Sequence, residues 1–276
     1  MKRAARLAAI GVLAAVFIVS LTVVLHRLAE YRAGGQTYAA AQELARVPAE
    51  SSAVGPAPVG EEETDPYEAA LAELDLPALQ AVNGDALGWI MIPETEISYP
   101  LVQGTDNQYY LTHTWDNAPS AVGAVFLDWR ASPDLSDFHT LIYGHRMKNG
   151  SMFAGLKYFS DRDYWREHPY VYITDGSGTK RYEIFSAYEA DVRGETYRVG
   201  QQSREEKQAY LDFCLAQSQY DTGVVPTVDD TVVTLSTCTG SGHATRWVVQ
   251  ARLEGGLPAE SAEPDGTAET SSNAAA

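Results

Sequence analysis

Cysteine is nearly missing from this chain: Cys214 and Cys238 are the only two in 276 residues. Two thiols form at most one bridge, too few for a disulfide framework and too few for a cysteine-based zinc site. Cations are also short, with 20 Lys and Arg against 37 Asp and Glu and a formal charge of -17. Phosphate-backbone binding rests on clustered lysine and arginine, so nucleic acid is excluded as a partner. There is no internal repeat and no second long apolar run. The length suits one medium domain or two small ones.

What is there begins with residues 7–25, apolar apart from Gly11, Ser20 and Thr22 and long enough to cross a bilayer as a helix. Lys2, Arg3 and Arg6 precede it, a positive flank that keeps that end cytoplasmic and sends the rest of the chain outside. The rival reading is a cleaved signal peptide. The run is long for one, and His26, Arg27 and Leu28 offer no small-residue cleavage site, which favours an uncleaved anchor over residues 1–32. Residues 33–65 are rich in Ala, Gly, Pro, Ser and Glu, with Pro48, Pro56, Pro58 and the run Glu61, Glu62, Glu63. That composition buries little apolar surface and reads as a flexible extracellular linker, with helix open for part of residues 38–46. Residues 254–276 have the same disordered composition.

One domain lies between, over residues 66–253. Tyr67, Leu71, Leu74 and Leu79 recur near helical spacing, broken at Pro77. Strand candidates follow at 88–92, 97–102, 124–127, 140–143, 170–173, 181–188, 230–237 and 247–253, all short, β-branched or aromatic, and bounded by Gly, Pro, Asn and Asp. About eight such strands predict a mainly β fold, a closed antiparallel barrel or a sandwich. Two helices interrupt them. One starts at a capping-box-like Ser160-Asp161-Arg162-Asp163, and a longer one opens at Ser203-Arg204-Glu205-Glu206 with Tyr210, Phe213, Cys214 and Gln217 on one face. Cys214 in that pattern reads as a small buried hydrophobe.

Cys238 ends the β-branched run, and Arg246 opens the next strand across a turn containing Gly240, Ser241 and Gly242. That geometry brings thiol and guanidinium together. A thiol needs a basic or cationic neighbour to become a useful nucleophile. Of six histidines, His26 and His168 read as solvated and His113 and His139 as ambiguous. His145 stands just past a strand at a barrel rim, whereas His243 sits in a glycine-rich loop that holds a side chain loosely, so His145 ranks first and His243 second. An arginine beside the thiol stabilises the thiolate and donates to the oxyanion of an attacked carbonyl. Cys, His and Arg together specify acyl transfer.

The run Thr234-Leu235-Ser236-Thr237-Cys238 followed by Arg246 resembles the signature of sortases, and Tyr143-Gly144-His145 resembles that family's histidine site. The stretches at 88–93, 99–104, 106–111 and 143–153 are similar in order and spacing to class B sortases, over about residues 81–253. The resemblance implies an eight-stranded sortase-type barrel with peripheral helices, one of them between the sixth and seventh strands, behind a transmembrane helix. It further implies a cysteine-type transpeptidase, within the cysteine peptidases, of a Gram-positive cell surface. Such an enzyme cleaves a C-terminal sorting signal on a secreted protein after threonine and passes the acyl group, through a thioester on Cys238, to a peptidoglycan or pilin amine. His145 would serve as acid and base, Arg246 as oxyanion donor, and Asn107, Tyr143 and Ser236 would line the signal-binding groove; no metal or cofactor is implied. Thr239 departs from the acidic residue often found after the cysteine, and the loop to Arg246 is shorter than in the best-known members.

Two other readings are open. An L,D-transpeptidase also joins Cys and His on a β-rich fold, but places the histidine shortly before the cysteine, unlike His145 and Cys238. A non-catalytic, membrane-tethered β-barrel binding module would carry an inert thiol, so labelling of Cys238 separates it from an enzyme.

Overall fold

The computed structural model describes residues 2–47, 65–240 and 244–255. Eight strands close into a barrel: β1 (Ala86–Met91), β2 (Ser98–Val102), β3 (Val125–Leu127), β4 (His139–Tyr143), β5 (Tyr170–Asp175), β6 (Gly178–Asp191), β7 (Val232–Cys238) and β8 (Thr245–Leu253). Their order around the barrel is β1-β2-β3-β4-β7-β8-β6-β5. Each overlaps one of the eight segments expected from the sequence. The barrel is not wholly antiparallel, because β2 runs parallel to β3 and β4 parallel to β7. Parallel neighbours need a long crossover, and everything from residue 144 to residue 231 serves as the one between β4 and β7.

The β7 sequence explains its place. Val232, Val233, Thr234 and Leu235 are buried along with Ser236 and Thr237, and the strand is paired on both edges, to β4 and to β8. A strand covered on both faces favours such continuous β-branched and apolar runs. The largest core side chains include Trp89 and Phe126, and the Trp89 indole donates to Ser98 Oγ at 3.0 Å, so a bulky ring is buried without an unsatisfied N–H.

Among the described residues, five α-helices surround this core. Helices α2 (Pro66–Ala72) and α3 (Leu76–Val82) start at Asp65 and Asp75, whose carboxylates accept the first free backbone N–H groups. Pro77 therefore falls in the first turn of α3, where a proline costs no hydrogen bond, and the expected break at Pro77 is the start of a second helix. Helix α4 (Arg162–Glu167) is capped by Asp161 rather than Ser160. Helix α5 (Arg204–Gln217) carries the expected capping box between Ser203 and Glu206 and buries Tyr210, Leu211 and Cys214.

The long first helix corrects one expectation. Helix α1 spans Lys2–Ala45, 44 residues, so the first third of the expected flexible linker at 33–65 is helical and packed. Gly34, Tyr38, Ala41 and Ala45 are buried at helical spacing against the barrel side. An Ala- and Gly-rich segment reads as disorder by composition, yet small residues on one face also let a helix approach closely. Arg46, at φ 57, ends the helix, with Val47 N–H returning to the Gln42 carbonyl at 3.1 Å. Upstream, the apolar side chains from Ile10 to Leu28 are exposed, and the helix is long and apolar enough to be a candidate membrane span. The rest of the linker, 48–64, the tail from 256 and His243 lie outside the described residues.

Candidate active site

Cys238 is the last residue of β7, and Arg246 is its partner across the antiparallel ladder to β8. On the other edge of β7 the parallel register sets Tyr143 beside Ser236. Past that pair, the Gly144 N–H donates to the Ser236 carbonyl at 3.2 Å and Thr237 Oγ1 donates to the Gly144 carbonyl at 2.8 Å. One step further along both strands stand His145 and Cys238. The thiol thus occupies the middle of three adjacent chain segments, flanked by the imidazole segment on one side and the guanidinium segment on the other.

Each neighbour is built by local constraints. A Cβ on Gly144 would lie 2.7 Å from the Phe153 ring, so only glycine lets the chain turn here between β4 and the returning loop. Phe153 N–H donates to the His145 carbonyl at 2.9 Å and Arg146 forms a bridge with Met152, which closes that loop. The half-buried His145 ring has its Nε2 2.7 Å from the Leu111 carbonyl oxygen. A carbonyl accepts only, so Nε2 carries the proton and Nδ1 is left to exchange one. After Cys238 the chain turns at Gly240, φ 84, against the Arg146 guanidinium, which a Cβ there would strike. Arg246 donates from one terminal nitrogen to the Thr245 carbonyl at 2.9 Å.

The three residues expected in the groove fall into two groups. Asn107 and Tyr143 are half-buried and converge on one carboxylate: Asn107 Nδ2 donates to Asp128 Oδ2 at 2.9 Å, and the Tyr143 hydroxyl donates to the same oxygen at 3.0 Å. Ser236 is buried, and its hydroxyl pairs with Tyr197 OH at 2.8 Å. Burial, which outweighs the Ser236 hydrogen bond, raises the Tyr197 phenol, and the charges of Arg246 and Cys238 both act on it.

Asp128 and Tyr197 were not singled out in the sequence. Asp128 is buried, and burial alone would raise its carboxyl; two-pronged donation from Arg130, together with Asn107 and Tyr143, holds it at about 2. A lone acid directly after the apolar run of β3 was the available signal. Tyr197 had none, because its loop position becomes meaningful only through contact with Ser236. Cys214, by contrast, is fully buried, and burial pushes its thiol up to about 11, so it stays protonated as a small core side chain.

A sortase domain matches residues 90–254. The chain is 38% identical over 166 residues to sortase B of Listeria monocytogenes, covering 59% of this chain and 67% of that protein. Among solved structures, sortase B of Bacillus anthracis superposes with a TM-score of 0.67 at 29% identity, over 82% of this chain and 98% of that one. A Staphylococcus aureus sortase B–substrate complex superposes at 0.62 and 28% identity, over 64% of this chain and 83% of that one. The chain belongs to the sortase family of cysteine transpeptidases. Its barrel and its relatives place it in class B.

Proposed function

We propose that this protein cleaves a C-terminal sorting signal after threonine and transfers the acyl group to an amine, with Cys238 as nucleophile. The observation that carries this reading is the register of His145, Cys238 and Arg246 on three neighbouring segments at one barrel rim. The Cys238 thiol gives its proton to His145 Nδ1 as the sulfur attacks the threonine carbonyl carbon, and the oxyanion is held by Arg246. Collapse breaks the C–N bond; His145, through Nδ1, protonates the leaving amine, and a thioester remains. An incoming amine, from a peptidoglycan precursor or a pilin, gives its proton to His145, attacks the thioester and frees the thiol.

Asn107 and Tyr143, fixed by Asp128, and Ser236, backed by Tyr197, line the groove that reads the signal. The sequence motif and the strand register support that role. The apolar part of α1 crosses the cell membrane once, with Lys2, Arg3 and Arg6 inside, and residues 66–253 work outside as a cysteine peptidase-type catalytic domain. The partners are secreted proteins bearing the signal. The test is incubation of the detergent-solubilised full chain with a library of sorting peptides and candidate amines, read by mass spectrometry. Amine-dependent product from the parent and none from Cys238→Ala is expected; hydrolysis alone, whatever the amine, would sink the transferase reading.

A further inference from the structure

The buried face of α1 reaches the support of the proposed catalytic histidine by two routes, both through Tyr38. The Tyr38 hydroxyl donates to the Gly123 carbonyl at 2.5 Å. Gly123, at φ 64, is the floor under His145: a Cβ there would lie 2.7 Å from the imidazole Cδ2 and 2.7 Å from the Tyr110 carbonyl. The next residue, Ala124, donates its N–H to that Tyr110 carbonyl at 2.9 Å, beside the Leu111 carbonyl that receives His145 Nε2.

The second route runs through Tyr99. The Tyr38 ring meets Tyr99 edge to face, with centroids 5.2 Å apart. The Tyr99 hydroxyl accepts the Met152 N–H at 2.8 Å, and Met152 forms the bridge with Arg146, the residue after His145. Neighbouring contacts lock the helix at this height. Trp115 Nε1 donates to the Thr37 carbonyl at 3.4 Å, and Gly34 packs so tightly on Val122 that a Cβ would come within 2.8 Å of Val122 Cγ2.

We infer that Tyr38 is a positioning residue for His145, so that the helix bearing the candidate membrane span is a structural part of the active site as well as an anchor. The inference rests on the reading of His145 as the acid and base. Tyr38 touches neither the thiol nor the groove, and its effect passes through the Gly123 carbonyl and the Tyr99 hydroxyl. A proton-transfer group must hold its geometry closely, and a small displacement from a distant contact is felt in the chemical step. Losing the Tyr38 hydroxyl should therefore lower kcat while leaving peptide binding nearly intact.

The test uses the full chain in lipid nanodiscs. Tyr38→Phe keeps the ring on Tyr99 and removes only the hydroxyl. Gly34→Ala replaces glycine with a better helix former, so it retains the helix while its methyl pushes against Val122. For both variants a fall in kcat of about three- to tenfold is expected, the worth of one hydrogen bond, with KM within about twofold. The nitrogen-15 resonances of the His145 ring, which report the Nε2–H tautomer directly, should move toward tautomer-averaged positions.

Native kcat together with unmoved ring resonances in Tyr38→Phe would overturn the inference, as would a rise in KM alone. If His145→Ala retained turnover, the catalytic reading would fail. The ring resonances of Tyr38→Phe would still decide whether helix and imidazole are coupled.

Discussion

His145 donates Nε2–H to the Leu111 carbonyl at 2.7 Å while Gly123 lies directly against its ring. The imidazole is thus fixed in one tautomer by an oxygen on one side and kept in place by a residue that has room for no side chain. Gly123→Ala introduces a methyl into that space at a positive φ, where an L residue is also strained by about 1 kcal/mol. The expected result is a drop in kcat of about tenfold or more in the folded variant, with melting lowered by roughly 5–10 °C because the methyl also meets the Tyr110 carbonyl. Steady-state cleavage and a thermal melt on the same preparation check it, and native turnover would show that this floor does not hold the ring.

Arg246 faces Cys238 across the β7–β8 ladder, where the guanidinium can meet an oxyanion as it forms. Removing one oxyanion donor costs about a hundred- to a thousandfold in kcat. Arg246→Ala should show that loss with little change in KM, Cys238→Ala should abolish turnover, and His145→Ala should nearly do so. Arg246→Lys, which keeps the charge but loses the planar fork, should recover only part of it. Full recovery with lysine would mean that the charge alone matters.

Asp128 joins Asn107 and Tyr143 to Arg130. Its carboxyl, at about 2 against the usual 3.8, is depressed in the fold, so its contribution to stability is present above the usual value and is lost as pH falls toward 2. Asp128→Asn should cost about 1–2 kcal/mol at pH 7, a value moderated because Arg130 is half exposed to solvent. It should also raise KM for a sorting peptide more than it lowers kcat, because Asn107 and Tyr143, the proposed groove residues, lose their common anchor. Urea unfolding and initial rates measure the two effects; an unchanged KM would remove Asn107 and Tyr143 from the groove.

The strands were legible because each barrel strand carries its own local signature, and the β7 run Val232-Val233-Thr234-Leu235 reads as a doubly covered strand with no outside information. That Cys238, Arg246 and His145 come together at one rim was legible for the same reason, since Cys238 and Arg246 sit at strand ends and His145 just past one. Composition misled at α1, where Gly34, Ala41 and Ala45 make a close-packed face from residues that are also common in linkers. Parallel pairing of β4 with β7 was invisible, because direction is set by the crossover and not by the strands. Asp128, Tyr197 and Leu111 act through partners distant in sequence, and Leu111 contributes only a backbone oxygen, which no side-chain pattern reveals.

The remaining prediction concerns His139, buried at the start of β4 beneath α5. Nδ1 faces the Arg198 carbonyl at 2.9 Å, so it carries the proton, and the single lone pair of Nε2 accepts one hydrogen bond from the two hydroxyls beside it, Thr234 Oγ1 and Tyr210 OH, each at 2.8 Å. The neutral ring is fully satisfied. A charge there would be cut off from water, and burial lowers the imidazole from 6.5 to about 4. The sign follows from proton uptake: between those values the unfolded chain binds a proton that the folded one refuses. Stability is therefore complete above about pH 6.5 and falls as pH drops toward 4, by about 3 kcal/mol in all. His139→Gln, which has no titrating ring, should start less stable at pH 7.5 and lose less between pH 6.5 and 4.5. Asp128 titrates lower, toward 2, so its effect falls largely outside this window. Urea unfolding at both pH values, parent against variant, gives the answer, and equal pH slopes would show that His139 is not the group that opposes acid in this range.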